Sequence, residues 1–326
     1  MVKKKLPRVK FSSAILIKIL QIGLFTLTLS LMPAPNKYFK AVPVTVESYQ
    51  KEEPLVPERL SEPPPVPVKV PNAIDLSLTA QGVLVKDLES GVVMYAKNEK
   101  QTLFPASTTK IMTALVILDK FALDDVLSVK TVITSGRIMN LTSGEELTVE
   151  ALLYGTLVHS ANDAAYTLAE NYPGGYDAFI DAMNRKAVEL NLTDTHFTNP
   201  VGFDDANHYS TAEDLAKLAG YALDNKVIAK IVATRGITVS DVSYLYFHDL
   251  KNVNILLGRI AGLSGVKTGF TENAGEILIS EVKKNGHSVL FVVLKSADRF
   301  GETVQLIDWV FNNFNWVSLA QITPGI

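Results

Sequence analysis

Eight prolines fall between residues 43 and 71: Pro43, Pro54, Pro57, Pro63, Pro64, Pro65, Pro67 and Pro71, with Glu and Lys among them. Proline fixes φ and has no amide hydrogen, so such a stretch suits neither a helix nor an interior strand. It buries too little apolar surface to fold and is expected to sample extended polyproline conformations. The foldable part of the 326-residue chain is thereby confined to about residues 72–326. Residues 36–71 form the expected linker, whose proline-rich part could reach roughly 90 Å at about 3.1 Å per residue.

Residues 1–35 read as an export signal or a signal-anchor. Lys3, Lys4, Lys5, Arg8 and Lys10 precede an apolar run from Phe11 to about Met32, and the positive-inside rule places that start in the cytoplasm. Lys18 interrupts the run near its cytoplasmic end, where a lysine can snorkel to the headgroups. No A-x-A-like site follows, which favours an uncleaved anchor over a cleaved signal peptide. The folded part is expected at the extracytoplasmic face of a membrane, or secreted or periplasmic if the signal is cleaved.

Composition narrows the function. Lys and Arg number 31 and Asp and Glu 34, a net charge of −3, without the basic excess of a dedicated nucleic-acid binder. There is no cysteine, which excludes disulfide frameworks, thiolate-bound zinc, iron–sulfur clusters and a thiol nucleophile. His159, His196, His208, His248 and His287 are scattered with no HExxH spacing, so a His-rich metal site is not expected.

Within the folded part, residues 82–95 read as a hairpin turning at Glu89-Ser90-Gly91. Pro105 opens a helix over Ala106 to about Asp119. Helical patterns cover 148–158, 162–171, 176–190 and 211–223. Strands return at 275–282 and 287–295 around Lys283-Lys284-Asn285-Gly286, and a helix from Glu302 to about Phe314 follows. Strands at both ends and helices between them predict an α+β fold: a largely antiparallel sheet flanked by helices, with a helical lobe inserted.

Three short motifs carry chemistry. Ser107-Thr108-Thr109-Lys110 places a hydroxyl and an amine one helical turn apart, at a helix N-terminus that favours developing negative charge. A serine beside a desolvated amine is an activated nucleophile. The S-x-x-K pattern also occurs at Ser48–Lys51, Ser264–Lys267 and Ser280–Lys283, and Ser107 alone could be a helix cap. Ser160-Ala161-Asn162 stands at a break between helices. Its hydroxyl can relay a proton and its carboxamide can hold a substrate amide, although Ser160 could equally cap the following helix. Lys267-Thr268-Gly269 reads as a strand whose glycine lets a substrate lie along the edge, or as an exposed turn.

In this order and context the three motifs are the signature of penicillin-recognising serine acyl enzymes. The segments Pro105–Ala114, Gly144–Tyr154, Ser160–Ala164, Thr195–Gly202, His208–Ala212, Asn252–Asn254, Gly265–Gly269 and Arg299-Phe300 resemble the serine-type D-alanyl-D-alanine carboxypeptidases, the low-molecular-mass penicillin-binding proteins. The resemblance covers about residues 76–316 and implies a β-lactamase/transpeptidase-like fold. It implies that Ser107 attacks the penultimate D-Ala carbonyl of a peptidoglycan stem peptide, with Lys110 as base. Ser160, helped by Lys267, would protonate the leaving amine. The amides of Ser107 and Phe270 would form the oxyanion hole, Asn162 would bind a substrate amide, Gly269 would leave room at the strand edge, and Thr268 and Arg299 would bind the terminal carboxylate. β-Lactams would be covalent inhibitors, and no metal or organic cofactor would be needed.

Two departures stand out. The chain ends soon after its last helix, so the C-terminal β-domain of many family members is not expected, and Glu276 stands where a more apolar or neutral residue is expected. Three rivals remain. A D,D-endopeptidase acting on cross-links would carry the same motifs. A β-lactamase would need a deacylating Glu, but Ala187 stands where the loop ending in Glu189-Leu190-Asn191 would place it. An inactive wall-binding protein would not need Ser107, Lys110, Ser160 and Lys267 intact.

Overall fold

The computed structural model describes residues 63–71, 73 and 76–318. The expected anchor (1–35) and the linker up to residue 62 lie outside the described residues. Among the described residues no helix is long and apolar enough to cross a membrane.

The sheet has five antiparallel strands. They are β2 (Gly82–Asp87), β3 (Val93–Lys97), β8 (Leu263–Thr271), β9 (Gly275–Lys284) and β10 (His287–Ser296), in the order β3-β2-β10-β9-β8. Both expected hairpins are present, and the strands from the two ends of the folded part meet where β2 pairs with β10. These strands are apolar on successive residues, the pattern of a sheet covered on both faces. Val83 and Val85 of β2, and Val289, Phe291 and Val293 of β10, pack with the C-terminal helix α7 (Arg299–Asn313) through Leu306, Ile307 and Val310. The alternate residues Leu84, Leu290, Val292, Ile277 and Ile279 join the core of the helical side.

That side is built from α1 (Lys110–Leu118), α2 (Val149–Tyr154), α3 (Asn162–Glu170), α4 (Gly175–Glu189), α5 (Ala212–Asp224) and α6 (Lys226–Val232). Helix α1 is buried along almost its whole length, as its continuous apolar sequence requires. Thr148 and Thr211 cap α2 and α5 by accepting from Ala151 N and Asp214 N. Two two-stranded antiparallel sheets were not expected: β4 (Val126–Ser128) with β5 (Glu146–Thr148), and the hairpin of β6 (Gly236–Ser240) with β7 (Phe247–Lys251). Helix α6 was not expected either.

The last residues of the expected linker are ordered. Val66–Lys69 form strand β1, which pairs antiparallel with β11 (Phe314–Val317) after α7. Prolines mark β1 as an edge strand; Pro67 lies within the pairing and Val66 and Val68 alternate with it. The ordered domain therefore starts before residue 72.

Candidate active site

Three elements converge on a cleft of about 520 Å³ between the sheet edge and the helical side. The first is a 3-10 turn, Ala106–Thr109, leading into α1. Ser107 is its second residue, so its amide has no intrahelical partner. Lys110 is completely buried, and its Nζ contacts Ser107 Oγ at 3.0 Å, Asn162 Oδ1 at 2.8 Å and Val201 O at 2.9 Å. Burial lowers the amine to about 7, against the opposing pull of Asp163.

The second element follows α2. A π-helical turn over Gly155–His159 widens the helix end, and Ala161 N donates to Gly155 O at 2.9 Å. Such turns re-aim side chains at functional sites. Ser160 then adopts a left-handed conformation (φ 63°). Helix α3 is capped by Ala161, with no side-chain bond, so Ser160 is not a helix cap. Its hydroxyl lies 2.8 Å from Lys267 Nζ.

Strand β8 is the third element and an edge of the sheet. Lys267 pairs with Ile279 and Gly269 with Ile277. Both isoleucines face the helical-side core, so Lys267 projects towards Ser160. It is buried, and its pKa is lowered well below the ordinary value, first by burial, then by Lys110, Arg299 and Arg137. Thr268 is buried and Phe270 exposed, and both line the cleft.

Close backbone approach explains two glycines. A Cβ on Gly269 would lie 3.2 Å from Ala106 Cβ and 3.3 Å from Ser107 N. Gly202 has φ +89°, and a Cβ there would fall on Ala106 O. The nucleophile's turn is thus wedged between β8 and the Val201-Gly202 loop. That loop hangs on Asn199 Oδ1, which accepts from Gly202 N at 2.8 Å and Phe203 N at 2.9 Å. Behind it, Thr109 Oγ1 meets His208 Nε2 at 2.8 Å. Burial lowers His208 to about 4, and its Nδ1 accepts from Thr198 N, so this imidazole is neutral.

Every residue singled out in the three motifs is brought together here. Asn162 differs in detail from the sequence reading: Lys110 takes its Oδ1, and Ser135 O accepts from its Nδ2 at 2.9 Å, leaving one N–H for the cleft. Arg299 lines the cleft, with Nη1 2.8 Å from Gly269 O. Glu276 finds its explanation beside it, accepting from Arg299 N at 2.9 Å at the start of α7. The serines of the other described S-x-x-K patterns, Ser264 and Ser280, do not line the cleft, whereas Lys267 itself belongs to the site. Ser264 and Ser280 lie on strands, Ser264 bonds Glu281, and Ser48 lies outside the described residues. Glu189 pairs with Lys186 at the end of α4 and Ala187 is buried, so the segment that resembles a β-lactamase loop is a helix end that does not line the cleft.

Sequence reasoning missed Val201, Asp163 and Arg137. Val201 acts through its backbone, which leaves no side-chain signal. Asp163 accepts from Met139 N and Leu141 N, both at 3.0 Å, and its only signal is its place after Asn162. Arg137 lines the cleft from a loop with no periodicity.

The model of the family described as D-alanyl-D-alanine carboxypeptidase matches residues 68–298. The chain belongs to the D-alanyl-D-alanine carboxypeptidase family. It is 33% identical over 250 residues to the D-alanyl-D-alanine carboxypeptidase DacF of Bacillus subtilis, covering 74% of this chain and 64% of that relative. It is also 33% identical over 268 residues to a D-alanyl-D-alanine endopeptidase of Pseudomonas aeruginosa, covering 81% and 84%. The crystal structure of the Streptomyces K15 DD-transpeptidase superposes with a TM-score of 0.69 at 30% identity, covering 73% of this chain and 99% of that one. Penicillin-binding protein D2 of Listeria monocytogenes, in its ampicillin-bound form, superposes with a TM-score of 0.65 at 28% identity, covering 73% and 99%. The mixed α/β architecture and the antiparallel sheet are those of this family of penicillin-binding serine peptidases.

Proposed function

We propose that this chain is a serine-type D-Ala-D-Ala carboxypeptidase that removes the terminal D-Ala of peptidoglycan stem pentapeptides through an acyl-enzyme on Ser107. The observation that carries this reading is the Lys110 amine, buried, lowered to about 7 and 3.0 Å from Ser107 Oγ. At neutral pH such an amine can accept the hydroxyl proton as Ser107 attacks the carbonyl.

The amides of Ser107 and Phe270 form the oxyanion hole. Gly269 lets the substrate backbone add along the open edge of β8. Asn162 keeps Lys110 in place and offers its remaining N–H to the substrate. Ser160, bonded to Lys267, passes the proton to the leaving amine. Thr268 and Arg299 receive the terminal carboxylate, and water then releases the acyl group. β-Lactams acylate the same serine; Glu276, the carboxylate lining the cleft, is engaged by Arg299 N.

Residues 1–35 serve as the membrane anchor and the linker as a tether, holding the domain against the wall outside the cytoplasm. The test is incubation with a synthetic D-Ala-D-Ala pentapeptide. Release of free D-Ala supports the reading, and its absence from a folded, penicillin-reactive protein counts against it. A second reading, cleavage of cross-links, is favoured by the relatives named endopeptidases.

A further inference from the structure

A groove of about 390 Å³ adjoins the cleft, and no step above uses it. Three chain segments leave the cleft wall and enter it. Arg137 lines the cleft and Ile138–Asn140 the groove; Ser160 lines the cleft and His159 the groove; Val253 lines the cleft and residues 246–250 the groove. Successive Cα atoms are about 3.8 Å apart, so at Arg137-Ile138 and at His159-Ser160 the linings of the two hollows are one residue apart. The second of these junctions is at Ser160, the end where the leaving amine is protonated.

The groove is built rather than incidental. Buried His248 ties β7 to its opposite wall, with Nδ1 2.8 Å from Met139 O and Nε2 2.6 Å from Glu145 Oε1. Val253 N donates to Val158 O at 3.3 Å, and Asn162 N to Arg137 O at 2.7 Å. Phe247, 65% exposed, and Tyr246, 46% exposed, give the groove aromatic surface. His159 Nδ1 is buried there without a hydrogen-bond partner.

Arg137 stands at the junction. It is exposed, and among the described residues its guanidinium has no carboxylate or hydrogen-bond partner. Arg299, by contrast, is bonded to Gly269 O and lies beside Glu276. Burial is the first cause of the lowered pKa values of Lys267, Arg299 and His159, and Arg137 is close enough to add to each. The nearby Asp163 carboxylate is already engaged by Met139 N and Leu141 N. An uncompensated, planar cation among other cations is suited to bind a carboxylate.

We propose that Arg137 and this groove form a subsite for an anionic peptide strand attached to the leaving amine. The Ser107 centre would then also take substrates whose leaving group continues beyond one residue, as in a cross-linked peptide. This rests on the Ser107 acyl-enzyme reading. The chemistry is unchanged: the Ser107 Oγ–acyl bond forms, the amide C–N bond breaks, the amine leaves with a proton passed through Ser160, and water frees the serine. A peptide strand offers a carboxylate to Arg137, whereas the hydroxyls of a neutral sugar would leave that charge uncompensated.

The test uses the full chain and four substrates: a pentapeptide, a cross-linked peptide dimer whose amine-side strand ends in a carboxylate, the same dimer ending in a carboxamide, and the carboxylate dimer bearing disaccharides. The wild type should prefer the carboxylate dimer to the carboxamide dimer in kcat/KM by roughly tenfold or more, the worth of a charge-assisted hydrogen bond. Arg137→Gln should bring that preference to within about twofold, with Arg137→Lys between the two. Phe247→Ala should lower the ratio of dimer to pentapeptide turnover. An unchanged preference in Arg137→Gln, no preference in the wild type, or no cleavage of either dimer overturns the proposal. An effect of Arg137→Gln confined to the disaccharide-bearing dimer assigns the groove to glycan and also overturns it. Penicillin labelling of each variant certifies the centre. A wild type that neither labels nor turns over pentapeptide defeats the Ser107 reading instead.

Discussion

Lys110 Nζ lies 3.0 Å from Ser107 Oγ, and its two other partners, Asn162 Oδ1 and Val201 O, can only accept hydrogen bonds. A neutral amine has two hydrogens and one lone pair. Once both hydrogens are given to those acceptors, the lone pair is what faces the Ser107 hydroxyl. Geometry and burial therefore select the same state, a neutral base beside a protonated nucleophile.

Acylation by a penicillin should accordingly rise with pH through a value near 7, where Lys110 loses its proton. Stopped-flow acylation rates between pH 5 and 9 check this. Lys110→Ala should lower the rate by at least roughly 100-fold, the usual worth of a general base, and flatten this limb. Lys267→Ala should be slower than wild type but keep it. An unchanged limb in Lys110→Ala contradicts the division of roles.

Stability carries the same signature. The folded-state value of Lys110 is about 7, against an ordinary 10.5 in the unfolded chain. Below 7 both states are protonated, and the penalty for burying the ammonium is present in full. Between 7 and 10.5 the unfolded state binds more protons, so stability rises with pH as the penalty is relieved. Relative to Lys110→Met, the wild type should gain stability between pH 7 and 10, read from urea midpoints. A difference that is flat or shrinks contradicts it.

Much of this was legible in sequence because the chemistry sits in side chains at fixed local spacing. Ser107 and Lys110 are one turn apart, and Lys267-Thr268-Gly269 lies on a nine-residue strand. The continuous apolar run of β10 is that of a strand covered on both faces. The partners supplied by long-range backbone contacts, such as Val201 O on Lys110 or Arg137 O on Asn162, were not legible. Helix α6 and the hairpin of β6 and β7 were missed because Lys226–Val232 is short and the hairpin tip, Tyr244–Phe247, is exposed and apolar. Strand β1 was hidden by its prolines, since an edge strand tolerates what an interior strand does not.

Gly269→Ala tests the close approach of β8 to the nucleophile's turn. The added Cβ would press on Ala106 Cβ and Ser107 N, moving the turn by a few tenths of an ångström. We expect penicillin acylation to fall by roughly 10–100-fold, since even small misplacement of reacting groups is costly. Thermal stability should change little by comparison. Wild-type acylation by a folded Gly269→Ala protein contradicts the assignment.

The pairing of β1 with β11 predicts where the chain can be trimmed. A protein starting at Pro63 keeps Val66–Lys69 on β11, whereas one starting at Asn72 loses that pairing. Both should acylate with penicillin at similar rates. The shorter one should melt several degrees lower, at about 2–4 °C per kcal/mol for a domain of this size. Equal melting temperatures would show that the pairing adds nothing.

The most direct test of the account is the site of the covalent adduct. The full chain is labelled with a penicillin, digested, and the modified peptide located by mass spectrometry, in parallel with D-Ala release from pentapeptide. The adduct should map to Ser107, and Ser107→Ala should lose both adduct and D-Ala release, while Ser264→Ala keeps both. An adduct on another serine, or D-Ala release that survives in Ser107→Ala, would contradict the central claim.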